Sequence, residues 1–306
     1  MERNIKDYAK EVAAHVKEYL PEELSDCTVK VLEVRKGQTM VSEILVRKEG
    51  VSFSPLLPVS QFFNDNVNEE DAAMRIVDMV GKMYREDHSL YSSHDIEDYN
   101  ICSQKLFIRV YGRKEKLPVP WPHKEIAFGL DAVCYIDTSE NSDEGKTINV
   151  TSDMMDNWGK SFEEVFAAAA ANMLQCASFR PMNDVLTEMN DEYVQSLPIP
   201  EEMKMAMKDA YVNSLVQNPM HVLMAGYYGA GAVAVPELLK NTLGEGCYYI
   251  MPSSLYEVIV IPVGNETIEE LMEIVNSVNN EAVSEEDQLS NRVYRYENGK
   301  LNCCFA

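Results

Sequence analysis

Helix-like and strand-like segments follow one another in this chain without regular alternation, and this order limits the possible folds most strongly. Apolar residues recur every three or four positions in residues 4–20 and 69–85, which predicts two amphipathic helices. Between them, residues 28–34 and 41–46 alternate around a Lys36-Gly37 turn, which predicts a β-hairpin. A doubly wound parallel sheet requires strands and helices in strict alternation. The sequence therefore predicts an α+β fold with mixed or antiparallel sheets, flanking helices and two lobes.

The second half of the chain carries clear start and turn signals. Ser161-Phe-Glu-Glu164 and Thr267-Ile-Glu-Glu270 match the capping box, in which a hydroxyl and a carboxylate bind free backbone N–H groups at a helix start. Asn298-Gly299 between two strand-like runs predicts a tight hairpin turn. The glycine-containing stretch 222–235 is interpreted as another hairpin, followed by a short helix at 236–243.

An acidic and polar run at residues 138–145 separates the two halves. Runs of this composition between apolar segments are typical of connecting loops. We therefore predict an N-terminal α+β lobe at residues 1–140 and a C-terminal α+β lobe at residues 146–306. Two lobes agree with the usual domain size for a chain of 306 residues.

The charge of the chain disfavours two classes of partner. There are 27 Lys and Arg residues against 50 Asp and Glu residues, so the formal net charge is −23. Nucleic-acid phosphates and anionic membrane surfaces are both repelled by such a protein unless a separate basic patch is present. The densest basic runs, at Arg47-Lys48 and Arg113-Lys116, each have a Glu beside or within them. The sequence therefore predicts a possible protein partner, no nucleic acid and no membrane.

The cysteine pattern and the N-terminus predict an intracellular protein without a disulfide framework. The seven cysteines are an odd number and include no Cys-x-x-Cys pair, which argues against a disulfide framework and against structural zinc. The first residues lack the apolar core of a signal peptide, so we expect a cytoplasmic protein. Residues 210–236 carry no formal charge, but their polar residues and glycines favour a helix end, a turn and a hairpin over a membrane span.

The densest group of metal-type ligands is formed by His88, His94 and Asp95. A histidine followed by an aspartate occurs in metal-dependent phosphohydrolases, whose remaining ligands lie on separate helices. Here the group lies in one polar loop, and nothing in the sequence supplies a rigid set of supporting residues. These three residues are metal candidates, and a solvated acidic loop is the preferred interpretation.

Catalytic motifs are absent from the sequence apart from one segment. Gly226, Gly229 and Gly231 occur in the reverse of the order that the dinucleotide fingerprint requires, so we predict no bound cofactor. Neither a G-x-S-x-G elbow nor an H-E-x-x-H helix occurs. Ser253, Ser254 and Glu257 follow Pro252 between two apolar runs and are the catalytic candidates for a hydrolase. The alternative is that both hydroxyls bind backbone groups of a tight turn.

Six short motifs occur in a fixed order along the chain: Tyr19-Leu-Pro-Glu-Glu23, Ser54-Pro55, Asp153-Met-Met-Asp-Asn-Trp-Gly159, Gly229-Ala230, Met251-Pro-Ser-Ser-Leu-Tyr-Glu-Val-Ile259 and Leu289-Ser-Asn-x-Val-Tyr294. On these motifs the chain resembles a Firmicutes family of similar length, described as domain of unknown function 5688, over about residues 4–300. The resemblance implies no activity, cofactor or catalytic residue. Relatives in this family often carry His at the position of Tyr256, and we interpret that position as structural, because both rings present a polar tip.

Three functional hypotheses follow from these observations. The leading hypothesis is a cytoplasmic, non-enzymatic accessory protein that acts through protein–protein contacts. The first alternative is a hydrolase with a cleft site near residues 252–257. The second alternative is an acidic mimic of nucleic acid, which would need a one-sided stripe of carboxylates, and the even scatter of acids along the sequence argues against it.

Overall fold

The computed structural model describes residues 4–49, 54–86, 96–113, 119–139, 146–216 and 218–304. The helices of these residues are α1 (Ile5–Tyr19), α2 (Ser60–Asn64), α3 (Glu69–Glu86), α4 (Tyr99–Ser103), α5 (Ser152–Trp158), α6 (Phe162–Cys176), α7 (Met182–Ser196), α8 (Glu201–Ser214), α9 (Pro236–Leu243) and α10 (Ile268–Glu281). The strands are β1 (Thr28–Lys36), β2 (Thr39–Arg47), β3 (Leu56–Pro58), β4 (Leu106–Gly112), β5 (His123–Ala127), β6 (Leu130–Asp137), β7 (Thr147–Asn149), β8 (Ser178–Pro181), β9 (His221–Met224), β10 (Tyr248–Met251), β11 (Val258–Pro262), β12 (Tyr294–Glu297) and β13 (Lys300–Cys303). Two 3₁₀ helices cover Glu22–Leu24 and Gly229–Ala234. The described strands pair only in antiparallel fashion, which confirms the predicted α+β class.

The chain forms two compact units, Met1–Cys102 and Ser103–Ala306. The loop at which the sequence predicts a lobe boundary lies mostly at 140–145, outside the described residues. The strands on either side of that loop, β6 and β7, pair with each other, with Tyr135 opposite Asn149, and both belong to the second unit. The division between the compact units thus comes earlier in the chain than the predicted loop.

The first unit packs helices on a three-stranded sheet of order β1-β2-β3. The predicted hairpin is confirmed: β1 and β2 pair from Thr28–Arg47 to Lys36–Thr39, and Gly37 in the turn has a φ of 47°. The helix α1 begins after Asn4, whose side chain accepts a hydrogen bond from the Lys6 N–H. Its buried residues recur at helical spacing and join those of α3 and β2 in one core: Tyr8, Ala9, Val12, Val16, Ile44, Val46, Ala72, Ala73, Ile76 and Val80.

The second unit contains two antiparallel sheets. The larger has six strands in the order β13-β12-β10-β11-β9-β8, and the smaller has the order β4-β6-β5 with β7 also paired to β6. The predicted turn at Asn298-Gly299 is confirmed, since both residues have positive φ angles of 53° and 74°, as a two-residue hairpin turn requires. Both predicted capping boxes are also confirmed, at the starts of α6 and α10.

The helix α10 covers one face of the larger sheet and buries Leu271 and Val275 against β10 and β11. A buried residue at Val278 would continue this apolar stripe at helical spacing. Val278 is exposed, and Asn279 takes the buried position instead, where its amide donates to the Ser290 carbonyl oxygen at 3.1 Å. A hydrogen-bonded amide can thus replace an apolar contact at the end of this helix.

The predicted hairpin at residues 222–235 was wrong. Only 221–224 form a strand, and residues 229–234 form a 3₁₀ helix whose six residues are all buried. Small side chains allow this helix to lie directly on β4: a Cβ atom on Gly231 would come within 2.0 Å of the Ile108 carbonyl oxygen. The glycines therefore serve close backbone packing, which local sequence patterns do not distinguish from a turn.

None of the helices in the described part of the chain combines the length and the apolar composition that crossing a bilayer requires.

Candidate functional site

The catalytic candidates lie in the connection between β10 and β11, at residues 252–257. This connection is fixed by backbone hydrogen bonds to the segment before β12. The Leu255 N–H donates to the Asp287 carbonyl oxygen at 2.9 Å, and the Leu289 N–H donates to the Ser253 carbonyl oxygen at 2.8 Å. Ser254 and Gln288 also form an isolated β-bridge. These contacts fix residues 253–255 against residues 287–289.

The structure brings Ser254 and Glu257 together. Both serines of the segment are buried, and the Ser254 hydroxyl accepts a hydrogen bond from the Tyr256 N–H at 2.9 Å. Burial raises the pKa of the Glu257 carboxyl and the nearby Asp287 raises it further, while a hydrogen bond from Ser254 acts in the opposite direction. Ser254 thus both stabilises a turn and contacts a carboxyl that holds its proton more tightly than usual.

Histidine does not complete this arrangement among the described residues. His123 binds the Trp121 carbonyl oxygen through Nδ1 at 2.8 Å, and His221 binds the Pro219 carbonyl oxygen at 3.0 Å. The ring of His221 also stacks on Phe179. The carboxyl that contacts the Ser254 hydroxyl is therefore that of Glu257, and the hydrolase assignment of these residues stays a prediction.

Three tyrosines meet at the 252–257 segment, and one of them, Tyr256, belongs to it. The rings of Tyr227 and Tyr228 are 4.9 Å apart, and Tyr256 lies 5.6 Å from Tyr227 and 6.0 Å from Tyr228. The Tyr256 hydroxyl donates to the Asp287 carboxylate at 2.9 Å. Burial, followed by the charge of Asp287, raises the pKa of Tyr256, so this hydroxyl stays protonated at neutral pH. We call Tyr227, Tyr228 and Tyr256 the tyrosine cluster.

The metal candidates His88, His94 and Asp95 lie outside the described residues. In the residues that are described, no three His, Cys, Asp or Glu side chains are grouped so that they could hold a metal ion. The metal hypothesis therefore stays a prediction for the 87–95 segment alone.

A second candidate surface is the helical hairpin at residues 182–214, made of α7, α8 and the connection between them. We call it the methionine hairpin. Six of its large apolar side chains are exposed by 40–65% of their area, and they are Met189, Tyr193, Met203, Met205, Met207 and Val212. Sequence analysis did not predict this hairpin, because its apolar residues do not form the one-sided stripe that indicates a helix packed on a core.

The methionine hairpin holds together through few contacts. Val194 is its only fully buried apolar side chain. The Lys204 side chain is also buried, and its ammonium group donates to the Gln195 carbonyl oxygen at 3.0 Å and pairs with Glu201 at 3.1 Å. Lys208 pairs with Asp191 of α7 at 3.7 Å. Polar contacts therefore join α7 to α8, and six large apolar side chains of the hairpin face solvent.

Comparison with known proteins places the chain in a family but brings no activity with it. No curated protein and no solved structure matches the chain. The profile of DUF5688, described as a family of unknown function, matches residues 5–298. This match covers nearly the whole chain, in agreement with the resemblance seen in its motifs, and the chain belongs to the DUF5688 family.

Proposed function

We propose that the protein is a cytoplasmic accessory protein that acts through protein–protein contacts, and that the methionine hairpin is its contact surface. The observation that carries this proposal is the exposure of the apolar side chains along both helices of the hairpin. Several large apolar side chains exposed on two neighbouring helices are more than a protein that works alone usually presents, and such surfaces are typical of interaction sites.

Nearly all residues of the helix α8 lie outside the buried core. It has 14 residues, and Lys204 is the only one that is buried. Isolated helices of this length are marginal in water, and helices in proteins usually depend on packing of an apolar face. The four apolar side chains Met203, Met205, Met207 and Val212 are each exposed. A partner that covers them would supply the packing that the chain itself does not.

The charge and side-chain chemistry of the hairpin indicate the kind of partner. Residues 182–214 contain seven acids and two lysines, a net charge of 2 − 7 = −5. Both lysines already contact groups of the hairpin, Lys204 with Glu201 and Lys208 with Asp191. Methionine side chains adapt to partners of different shape, and acidic rims attract basic ones. We therefore assign the surface to a basic, amphipathic helical segment of another protein. A second copy of the chain would bring like charges together.

A model peptide tests this assignment. We expect a fluorescein-labelled helical peptide of leucine and lysine to bind the protein, with an increase in anisotropy that weakens as salt is added. The same peptide with glutamate in place of lysine should not bind. The combined variant Met203→Gln, Met205→Gln, Met207→Gln should weaken binding of the lysine peptide about tenfold or more, because it removes apolar area from the contact.

The matched control is Met74→Gln, an exposed methionine on α3 in the other unit. It should leave peptide binding unchanged. Equal binding of the lysine and glutamate peptides, or equal weakening by Met74→Gln, would contradict the proposal. Light scattering adds a separate check: a dimer that the triple variant converts to a monomer would make a second copy the occupant and overturn the assignment to a basic partner.

A second candidate function is hydrolysis at residues 252–257. It is favoured by one observation, the contact between the Ser254 hydroxyl and a Glu257 carboxyl of raised pKa. A carboxylate beside a hydroxyl can act as its general base. With p-nitrophenyl acetate as probe, Ser254→Ala and Glu257→Gln should each abolish any turnover, and Ser277→Ala, an exposed serine on α10, should not. Turnover that survives both changes would exclude this site.

A further inference from the structure

Arg109 is a buried arginine in the middle of β4, and its side chain is 7% exposed. It lies on the same face of the small sheet as Phe107 and Tyr111, because strand side chains alternate between faces. Opposite Arg109 in the register is Val133, and opposite Phe107 is Tyr135. A buried guanidinium normally needs a carboxylate or several hydrogen-bond acceptors to compensate for its lost hydration.

Two carboxylates near this face bind other groups. Asp131, opposite Tyr111, receives two hydrogen bonds from the Arg113 guanidinium, which also reaches Glu125 at 3.0 Å. Asp287, beside the tyrosine cluster, accepts from Tyr256 at 2.9 Å and from Ser284 at 2.8 Å. Neither carboxylate pairs with Arg109.

The guanidinium of Arg109 instead lies over aromatic rings. Its central carbon is 3.9 Å from the centroid of Tyr228 and 4.7 Å from that of Tyr111. Its Nε is fully buried, and no acceptor among the described residues binds it. Cation–π contacts stabilise the charge but use the ring faces, so the N–H groups at the edge of the guanidinium remain able to bind an anion.

A hydroxyl lies close to this charge. The Tyr135 hydroxyl accepts a hydrogen bond from the Tyr228 N–H at 3.3 Å, and the rings of the two residues meet edge to face at 5.2 Å. Burial is the main cause that raises the pKa of Tyr135, so its hydroxyl keeps its proton and can donate it. Phe107, Trp121 and Tyr228 around this point are half-buried, so part of each side chain is exposed to solvent.

We propose that Arg109 and the aromatic side chains around it form a binding site for a small-molecule carboxylate. A planar carboxylate matches the two parallel N–H groups of a guanidinium, and the aromatic rings would cover the apolar part of the ligand. A single negative charge balances the single charge of Arg109. A dianion such as phosphate is less suitable, because Asp287 lies beside the tyrosine cluster and the chain as a whole carries a charge of −23. This site is separate from the methionine hairpin.

Benzoate is the probe for this site, with benzamide as its neutral counterpart and inorganic phosphate as the competing oxyanion. At constant ionic strength, saturating benzoate should raise the Tm of the protein by roughly 2–4 °C, since a ligand stabilises the state that binds it. Benzamide and phosphate should have little effect. Calorimetry should give one benzoate per chain.

Arg109→Met should abolish the benzoate effect, and Arg109→Lys should weaken benzoate binding at least tenfold because it keeps the charge but loses the two parallel donors. The matched control is Arg292→Met, since Arg292 also lies over a ring, that of Phe128 at 5.3 Å. It should leave benzoate binding intact. Without ligand, Arg109→Met should have an unchanged or higher Tm, because the variant no longer buries an uncompensated charge.

Three results would overturn the proposal. The first is a benzoate effect that survives Arg109→Met. The second is no effect of benzoate on the wild-type protein together with a large loss of Tm in Arg109→Met, which would make Arg109 a purely structural cation between two rings. The third is a response to phosphate but not to benzoate, which would replace the carboxylate by a phosphate-bearing ligand. If Arg109→Met does not fold, Arg109→Lys and the wild-type titrations still decide between these outcomes.

Discussion

Substitution of Gly231 by alanine tests how closely the second 3₁₀ helix packs on β4. A Cβ atom at this position would lie 2.0 Å from the Ile108 carbonyl oxygen, 2.9 Å from the carbonyl carbon and 3.0 Å from the terminal carbon of Met173. Ordinary contacts of this kind need well over 3 Å, so backbone segments must separate by about 1 Å or more. The φ of Gly231 is not positive, so the expected cost comes from this overlap and not from backbone conformation.

The magnitude follows from what has to move. β4 pairs with β6 over its full length, from Leu106 to Gly112, and Met173 on α6 is fully buried. Overpacking in a well-packed core costs 1–3 kcal/mol, and the upper end applies where a backbone is the obstacle. We expect Gly231→Ala to lower the free energy of unfolding by about 3 kcal/mol. For a unit of this size, that corresponds to a fall in Tm of roughly 6–12 °C.

Urea unfolding followed by tryptophan fluorescence is the suitable assay, because both tryptophans, Trp121 and Trp158, lie in the second unit together with Gly231. Gly159→Ala is the matched control. Gly159 ends α5 with a φ of 62°, and no atom lies within 4 Å of its added Cβ, so alanine should cost only about 1 kcal/mol of backbone strain. A loss in Gly231→Ala no greater than that in Gly159→Ala would refute the close approach of the two segments.

Three further predictions concern charged groups. Asp131→Asn should lower the free energy of unfolding by about 2 kcal/mol in the same assay, because the buried carboxylate that pairs with Arg113 is lost. Glu125 pairs with the same arginine but is exposed, so Glu125→Gln should change the free energy of unfolding by less than about 0.5 kcal/mol. Hydrogen bonds from the Ser161 N–H and then from Lys160 lower the pKa of Glu164 to about 2. The contribution of this carboxylate to the free energy of unfolding is therefore present above about pH 4 and is lost as the pH falls to about 2. In this pH range the urea midpoint should fall more steeply for the wild type than for Glu164→Gln. Burial raises the pKa of Glu257, so ionisation of this carboxyl opposes folding as the pH rises. Glu257→Gln should therefore have a higher Tm than the wild type near pH 8. This difference in Tm should disappear below about pH 4, where the wild-type carboxyl is protonated in both the folded and the unfolded state.

Local signals in the sequence were sufficient for most elements with one buried face. The stripe of α1, the capping boxes of α6 and α10, and the turns at Gly37 and Asn298-Gly299 each act within a few residues. A capping hydroxyl or a glycine with positive φ needs no distant partner, so its effect can be predicted without knowledge of the fold. The α+β class followed from the order of these elements.

The sequence could not predict features that depend on distant parts of the chain. The glycines at 229 and 231 gave the pattern of a turn, but they pack against Tyr256 and Ile108, far away in the chain. Tyr228 reaches Tyr135 across 93 residues, so no spacing rule connects them. One signal was present for the Arg109 site: a lone arginine interrupts the apolar run Leu106–Tyr111, and a charge within a buried strand needs an explanation.

The methionine hairpin and Arg109 share a physical property that supports a role for each. Both reduce the stability that the chain could have: exposed Met205 gains nothing from burial, and Arg109 loses hydration without an anion to replace it. A polar residue in place of Met205, or an apolar residue in place of Arg109, would be compatible with the same fold. Departures from local folding rules are expected at functional sites, where binding of a partner or ligand compensates for them. The two features lie on different elements, α8 and β4, so each can be removed by substitution while the other is kept. If the methionine variant loses only peptide binding and Arg109→Met loses only benzoate binding, a general loss of stability cannot explain either result.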